Sequence, residues 1–498
     1  VIGKNNMELL IKNLGSIRNN NQAIDLTKKF YTFIGYNNSG KTLVSQLLWT
    51  IFNHDNIRKF YENTQIDSLG IDSEKPIKKI TINQELIDEI LNKFSQFIEK
   101  EVVNTYNLDA SIKETIIGSN KLIFQANIQE FKETKFKTTF LVRVPGNNDL
   151  EYLQISKGKG SLTINIKEPN IPEKVFDQIP RDFFERAKPF KESVIIPSII
   201  RVLLSQTEDT FFIPASRSFF PVFYQYIYEI ERNKRSEYNR RLQELIENIN
   251  DDVDTNKNIL FKRLQEQLPK RSYTEPMNKV IESLYSLNTK KEINSVYNSL
   301  IEKMSGLMGG EITVSSLESI APIQFSFKFD ETKDLPMYLA SSSVNQLTIL
   351  YLYLKYWAKE KNNFLMIDEP EVNLHPENQI RLMDILVQFV TEHDNRVLIT
   401  THSPILTDIL NNYVYLHTLK SYDVDVTKII EDNQLKNLNP EISIAKEDLG
   451  VYFFTGDKII DYGTSQYGVY FRNFKEVINS VQKSGEILTN HIYLAENE

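Results

Sequence analysis

One stretch constrains this chain more than any other: Gly35-Tyr36-Asn37-Asn38-Ser39-Gly40-Lys41-Thr42, which fits G-x-x-x-x-G-K-[ST]. The apolar run Phe30-Tyr31-Thr32-Phe33-Ile34 before it reads as a buried strand. After it, Leu43, Leu47, Leu48 and Ile51 are spaced to share one face of a helix. A strand, a glycine-bounded loop and a helix make a phosphate cradle. Gly35 and Gly40 let the loop's backbone N–H groups, those of Asn37, Asn38 and Ser39 included, close around phosphate oxygens. The helix N-terminus adds a favourable partial charge. In that cradle Lys41 reaches the β- and γ-phosphates and the Thr42 hydroxyl binds Mg²⁺. The competing reading is an ordinary strand–helix turn, and the flanks count against it.

A length of 498 residues exceeds one ordinary core. One large nucleotide-binding domain with insertions, or about two to three domains, is expected. Hydrophobic residues at 41% and aromatics at 11% describe a folded globular chain. A net charge of −8 argues against coating nucleic acid over the whole surface, and leaves room for a local basic patch. With no cysteine, a disulfide scaffold, a thiol nucleophile and a cysteine-ligated metal are excluded. No apolar run approaches the length of a transmembrane helix. Val1 to Asn6 lacks the apolar core of a signal peptide. The expected location is cytoplasmic, with no membrane partner.

The patterns divide the chain into four parts. Residues 1–52 carry a hairpin, Met7 to Ile17 with a turn at Gly15 and Ala23 to Leu26 as its partner, leading into the phosphate loop. Residues 53–210 read as an inserted helical and antiparallel β region. Within it 53–118 is helical, with Leu86, Ile87, Ile90, Leu91, Phe94 and Phe97 at helical spacing. Residues 119–167 alternate around turn signals at Pro145-Gly146-Asn147-Asn148 and Gly158-Lys159-Gly160, as in an antiparallel sheet, and helical patterns return near 181–205. Residues 211–306 open on the short strand Phe211-Phe212-Ile213, stopped by Pro214, and continue as a charged helical insertion. Its basic positions Arg232, Lys234, Arg235, Arg240 and Arg241, then Lys262, Arg263, Lys270 and Arg271, read either as a solvated helix face or as an arm for a partner or nucleic acid. Residues 307–498 follow a break at Gly309-Gly310, with strands from Glu311 to Phe329 and a final strand–turn–strand from Val451 to Ile460.

A second chemical cluster lies in that last part. Asn363 to Ile367 is a buried strand delivering Asp368 and then Glu369, with Pro370 ending it. Opposite a phosphate loop, Asp368 would hold Mg²⁺ and Glu369 would orient the attacking water. Alone, such acids are as readily a solvated strand end. Val397 to Thr401 is another buried strand, with His402 just past its end and one helix, Glu377 to Glu392, intervening. A histidine there can hydrogen-bond the γ-phosphate or the water, although a lone histidine is usually structural. Between loop and acids, Leu339-Ala340-Ser341-Ser342-Ser343-Val344-Asn345-Gln346 precedes a long apolar helix over Val344–Lys359, and its serines are N-caps in any reading.

Together these elements resemble the ATP-binding-cassette class of P-loop ATPases. Gly35 to Thr42 is similar to Walker A, and Phe364 to Glu369 to Walker B with its catalytic glutamate. Asn373-Leu374-His375-Pro376 resembles the D-loop of non-transporter members, and His402 in Thr-His-Ser-Pro the switch histidine. Ser341 to Gln346 holds the signature position without either glycine of Leu-Ser-Gly-Gly-Gln. With Ile213-Pro-Ala-Ser-Arg-Ser, these motifs resemble most the prokaryotic AAA-family ATPases of the overcoming-lysogenization-defect and RecF-like group. The segment 219–306 is too short for the long coiled coil of structural-maintenance-of-chromosomes proteins.

The resemblance implies an α/β fold: a P-loop ABC-type ATPase head with a mixed β-sheet core, an antiparallel β subdomain and helical insertions. It implies ATP and Mg²⁺ as cofactors, with Glu369, His402 and Lys41 catalytic and Thr42 and Asp368 on the metal. It implies a homo-oligomer, a head-to-tail dimer or an assembly of dimers. There Ser341, Ser342, Ser343 and Asn345 or Gln346 of one copy face the nucleotide of another. Arg217 is expected to sense the nucleotide or the adjacent head, or else to make a structural salt bridge. Many such ATPases are subunits of anti-phage defence systems, paired with a separate nuclease or toxin. Too few residues follow Gly450 for the TOPRIM nuclease fused to others, so a separate effector protein is expected. Two rival readings are a DNA repair or recombination clamp, holding DNA through the basic arms, and a nucleotide-gated oligomeric scaffold with little turnover.

Overall fold

The computed structural model describes residues 7–62, 64, 79–118, 120–142, 150–167, 195–204, 207, 209–247, 272–287, 295–315, 323–330 and 333–496. A six-stranded mixed sheet forms its centre, in the order Ile459–Asp461, Leu449–Phe454, Phe30–Gly35, Arg396–Thr401, Asn363–Asp368, Asp209–Ile213. All run parallel except the short edge strand Ile459–Asp461. Phe30–Gly35, Asn363–Asp368, Arg396–Thr401 and Leu449–Phe454 are buried along their whole length. Burial on both faces is why these strands read as continuous apolar runs and not as alternating ones.

The pleat divides their side chains between two cores. Tyr31, Phe33, Phe364, Met366, Leu398 and Tyr452 face one core, shared with the helix Lys41–Phe52 and the N-terminal hairpin. Leu365, Ile367, Val397, Ile399 and Leu449 face the other, against the helices Ser342–Leu352, Pro376–His393 and Pro404–Ser421. Each large side chain contributes about 1.5–3 kcal/mol on full burial, so the sheet is a rigid platform. The carboxyl ends of its parallel strands lie along one edge, where open α/β sheets bind their ligands. The phosphate loop, Pro214, Glu369 and His402 each follow one of those ends.

Around this platform the expected hairpin forms between Glu8–Lys12 and Ala23–Asp25. The antiparallel region differs from the single sheet expected over 119–167. Lys121–Gln125 leaves it to pair with Glu8–Lys12. Leu122 and Phe124 bury themselves in the core that holds Leu9 and Ile11, and the Glu99 carboxylate accepts the Leu122 N–H at 2.7 Å. The remaining strands Phe136–Val142, Leu150–Lys157 and Thr163–Lys167 make a separate four-stranded sheet with Lys79–Thr81. A third antiparallel sheet joins Glu311–Ser315, Gln324–Asp330 and Lys333–Pro336.

The charged insertion is helical where described, over Phe220–Glu247, Glu275–Tyr285 and Asn298–Met308. Arg232 and Lys234 are exposed, and Lys234 pairs with Glu231 at 3.4 Å. The helix expected over Val344–Lys359 is shorter: Ser342–Leu352 passes into a π turn, Tyr353–Trp357. A terminal helix, Arg472–Glu496, has no counterpart in the sequence reading. The turn at Pro145–Asn148, the start of the 181–205 segment, and Lys262, Arg263, Lys270 and Arg271 lie outside the described residues. No described helix is long and apolar enough to cross a membrane.

Candidate active site

The phosphate loop needs its glycines for different reasons. Gly35 has φ 147°, and a Cβ there would lie 2.2 Å from the Phe454 carbonyl oxygen of the neighbouring strand. Gly40, at φ 96°, turns the chain into the helix Lys41–Phe52. Lys41 is held beneath the loop by donating to the carbonyls of Tyr36 at 2.9 Å and Gly35 at 3.2 Å. Burial lowers its pKa, against the opposing pull of Asp368, Glu369 and Glu371. The loop opens on a cleft of about 580 Å³ lined by Ser16, Asn37 to Leu43, Glu369 and His402. That volume suits a nucleotide. The Ser16 and Ser39 hydroxyls in its lining are buried without a partner among the described residues, so a phosphate-bearing ligand finds two available donors.

Asp368 ends its strand beside the loop. Its carboxylate accepts from the Thr42 hydroxyl at 2.8 Å and from the Thr400 hydroxyl. Burial raises its pKa, and the two hydroxyls work against that rise. A divalent cation between Thr42 and Asp368 would relieve the same strain by supplying the missing positive charge. Among the described residues no group of three or more His, Asp or Glu is placed to hold a metal alone. A Mg²⁺ held by Thr42 and Asp368 would take its further oxygens from phosphate and water, which suits its coordination habits.

Glu369 stands at φ 48°, a left-handed conformation that costs a non-glycine residue about 1–2 kcal/mol. Its N–H donates to the Thr400 carbonyl at 3.0 Å and to the Thr400 hydroxyl at 3.1 Å. Its carboxylate lies 3.8 Å from His402 Nε2. Burial and the nearby Lys41 lower the His402 pKa, while Glu369, Glu371 and Asp368 pull the other way. His402 is therefore neutral at neutral pH and can accept or donate one hydrogen bond at the cleft.

Glu371 went unremarked as a functional group in the sequence, and the structure gives it a clear task. Its Oε1 accepts from the Thr401 hydroxyl and from the His402 N–H, both at 2.7 Å. It thereby fixes the turn that presents His402. The only signal was its place two residues after Glu369. His375 caps the helix Pro376–His393 through Nδ1, accepting the Glu377 N–H at 3.3 Å. Asn373, at φ 62°, makes the turn before it.

Arg217 does not face the cleft, and its partners are not carboxylates. Its buried guanidinium donates to four carbonyl oxygens: Asp368 at 2.7 Å, Glu369 and Gln346 at 3.0 Å, and Pro214 at 3.2 Å. Burial lowers its pKa to about 10, so it stays charged at neutral pH. In place of the salt bridge expected as one alternative, Arg217 makes a backbone clamp. It joins the ends of two sheet strands to the helix Ser342–Leu352.

Ser341 to Gln346 lies outside the lining of the chain's own cleft. Ser341 and Ser342 are exposed and Ser343 is partly so. Ser341 caps the helix by accepting the Val344 N–H at 3.3 Å, and its hydroxyl meets that of Ser343 at 2.9 Å. Asn345 and Gln346 are different. Asn345 donates inward to the Met337 carbonyl at 3.1 Å, and Gln346 to the Ala215 carbonyl at 3.2 Å. Both are buried, with their amide nitrogens turned inward.

Comparison with known proteins gives three kinds of result. No curated protein matches. Among solved structures the chain is similar to an Smc head domain with an extended coiled coil bound to the C-terminal domain of ScpA, derived from Pyrococcus furiosus, at 10% identity. That likeness covers 95% of this chain and 98% of that one, with a TM-score of 0.35. An SmcHead bound to the C-winged helix domain of ScpA matches at 11% identity over 92% and 97%, with a TM-score of 0.33. The SMC head domain from Thermotoga maritima matches at 10% identity over 92% and 98%, with a TM-score of 0.27. The model of the AAA ATPase domain family matches residues 7–407. Because that match runs from the first described strand past the phosphate loop, Asp368 and His402, the chain belongs to the AAA ATPase domain family, and its chemistry is ATP hydrolysis.

Proposed function

We propose that this chain is an ABC-type ATPase that hydrolyses ATP in the cleft between Lys41 and Glu369, and that it does so as a homo-oligomer. The observation that carries the reading is the convergence of Lys41, Thr42, Glu369 and His402 on one cleft from three separate strand ends, with Asp368 bonded to Thr42 beside it. In this mechanism the loop N–H groups and Lys41 bind and orient the phosphates. Glu369 orients and polarises the attacking water, and neutral His402 bonds that water or the γ-phosphate. Thr42 and Asp368 hold Mg²⁺, which when bound neutralises charge on the β- and γ-phosphates.

In the assembly we propose, the exposed serines of one copy face the nucleotide of another, with Ser342 and Ser343 as donors. Residues 1–52 and 307–498 then form the ATPase core, and 53–210 and 211–306 are insertions that pass the nucleotide state to a partner. The motifs Asn-Leu-His-Pro, Thr-Thr-His-Ser-Pro and Ile-Pro-Ala-Ser-Arg-Ser support a role as the cytoplasmic sensor or regulatory subunit of an anti-phage defence system with a separate effector.

Lys41→Ala tests the site directly. Its amine reaches toward the cleft and not into a core, so the variant should keep its fold by circular dichroism and lose turnover by about 10²-fold or more. Wild-type phosphate release from folded Lys41→Ala would remove the cleft from the reaction.

A further inference from the structure

Among the described residues, the helix Arg472–Glu496 is exposed along most of its length. Residues 475–495 are exposed on nearly every side, and Val477, Val481, Leu488 and Ile492 are each at least 60% exposed. A helix of this length gains little stability by itself in water, and this one shows a large exposed apolar surface.

The spacing of that surface says what fits it. Ile478, Val481, Gly485, Leu488, Ile492 and Ala495 recur at alternating intervals of three and four. This is the 3.5-residue repeat of a two-stranded helical pair, with 478, 485 and 492 at one seam position and 481, 488 and 495 at the other. Gly485 sits inside a helix, where glycine is unfavourable. A Cβ built there meets nothing within 4 Å among the described residues, so none of them requires the missing side chain.

An antiparallel pair with a second copy supplies the requirement. In the register that sets 485 against 488 of the other copy, Leu488 fills the space over Gly485. Val481 then meets Ile492, and Ile478 meets Ala495. Large faces small at both outer layers, and the arrangement is identical from either copy, as a two-fold interface demands. A parallel pair would set Gly485 against Gly485 and leave a hole at mid-seam. Charge agrees: Arg472, Lys475 and Lys483 outweigh Glu476 in the first half, whereas Glu486 is acidic in the second. Antiparallel pairing sets these halves, and the opposed helix dipoles, against each other.

We infer that the helix Arg472–Glu496 joins two copies of this chain as an antiparallel pair centred between Gly485 and Leu488. This adds a second contact to the oligomer proposed above and does not depend on which residues face the nucleotide. Its failure and that of the nucleotide sandwich are therefore separable.

The chain has no cysteine, so site-specific cross-linking starts from a clean background. Full-length Val481→Cys and Ile492→Cys, carrying different tags, are co-expressed and oxidised without nucleotide. Both positions are exposed, so the fold should tolerate the changes. The expected result is a disulfide-linked dimer containing both tags, with neither variant cross-linking when expressed alone. Alone, the two copies of residue 481 lie 11 residues out of register, about 16 Å along the pair, beyond the reach of a disulfide. Cross-linking of Val481→Cys with itself would show a parallel pair. No intermolecular product would show that the helix folds back on its own chain or serves a different protein. Either result overturns the inference.

Discussion

Arg217 shows how much a single side chain can settle. Its fork gathers the carbonyls of Asp368 and Glu369 and that of Gln346 on the serine-led helix. Glu369 is thereby gripped on both sides, by Arg217 at its carbonyl and by Thr400 at its N–H, in a backbone conformation it would not choose. Lysine at 217 keeps the charge and loses the fork, so some carbonyls go unpaired. We expect Arg217→Lys to bind ATP nearly as well as wild type while turnover falls roughly ten- to a hundredfold, because the carboxylate drifts and the phosphate loop does not. Equal losses in ATP affinity and turnover would mean that Arg217 supports the whole cleft and not Glu369 in particular.

His402 carries a pH signature. Burial and Lys41 lower its pKa, so the folded chain takes up this proton at lower pH than the unfolded chain does. Between the ordinary histidine value of about 6.5 and its own lowered value the unfolded state binds more protons, and stability falls as pH drops. His402→Gln lacks the group. Urea midpoints measured from about pH 7 to about pH 5 should therefore fall more steeply for wild type than for the variant. Parallel curves would show that His402 is not perturbed.

Among the elements, legibility follows how local the cause is. Phe30–Gly35, Asn363–Asp368 and Arg396–Thr401 are readable because only burial on both faces explains runs so apolar, and Lys41, Glu369 and His402 stand at fixed places beyond them. Lys121–Gln125 alternates as any half-buried strand does, and nothing local says that its partner is Glu8–Lys12. The roles of Arg217 and Glu371 are hidden for the same reason: the Asp368 carbonyl that Arg217 bonds and the His402 N–H that Glu371 accepts are backbone groups distant in sequence, which leave no spacing to read. The helix Ser342–Leu352 is the mixed case, since its cap is legible and the inward turn of Asn345 and Gln346 is not. Its exposed start permits a sharp test. Arginine at Ser343 should be tolerated by a helix that is only capped at Ser341, leaving the melting temperature within a few degrees of wild type. If the serines meet a second copy's nucleotide, Ser343→Arg should also abolish nucleotide-dependent association by light scattering. Unchanged association would confine these serines to capping.

At the scale of the whole molecule, the sheet fixes the reacting groups along one edge while the serine-led start and the terminal helix remain at the surface. Turnover that depends on Glu369 should then be tied to assembly, because the residue that would orient the water is clamped to the helix expected to meet the other copy. Glu369→Gln preserves the shape and removes the base, so it separates binding from hydrolysis more cleanly than any truncation. The decisive measurement is nucleotide content after gel filtration of Glu369→Gln loaded with ATP and Mg²⁺, alongside its rate of phosphate release. The account predicts intact ATP co-eluting with an assembled species and phosphate release down by about 10²-fold or more. Release of phosphate at the wild-type rate, with ADP or nothing left on the protein, would contradict it.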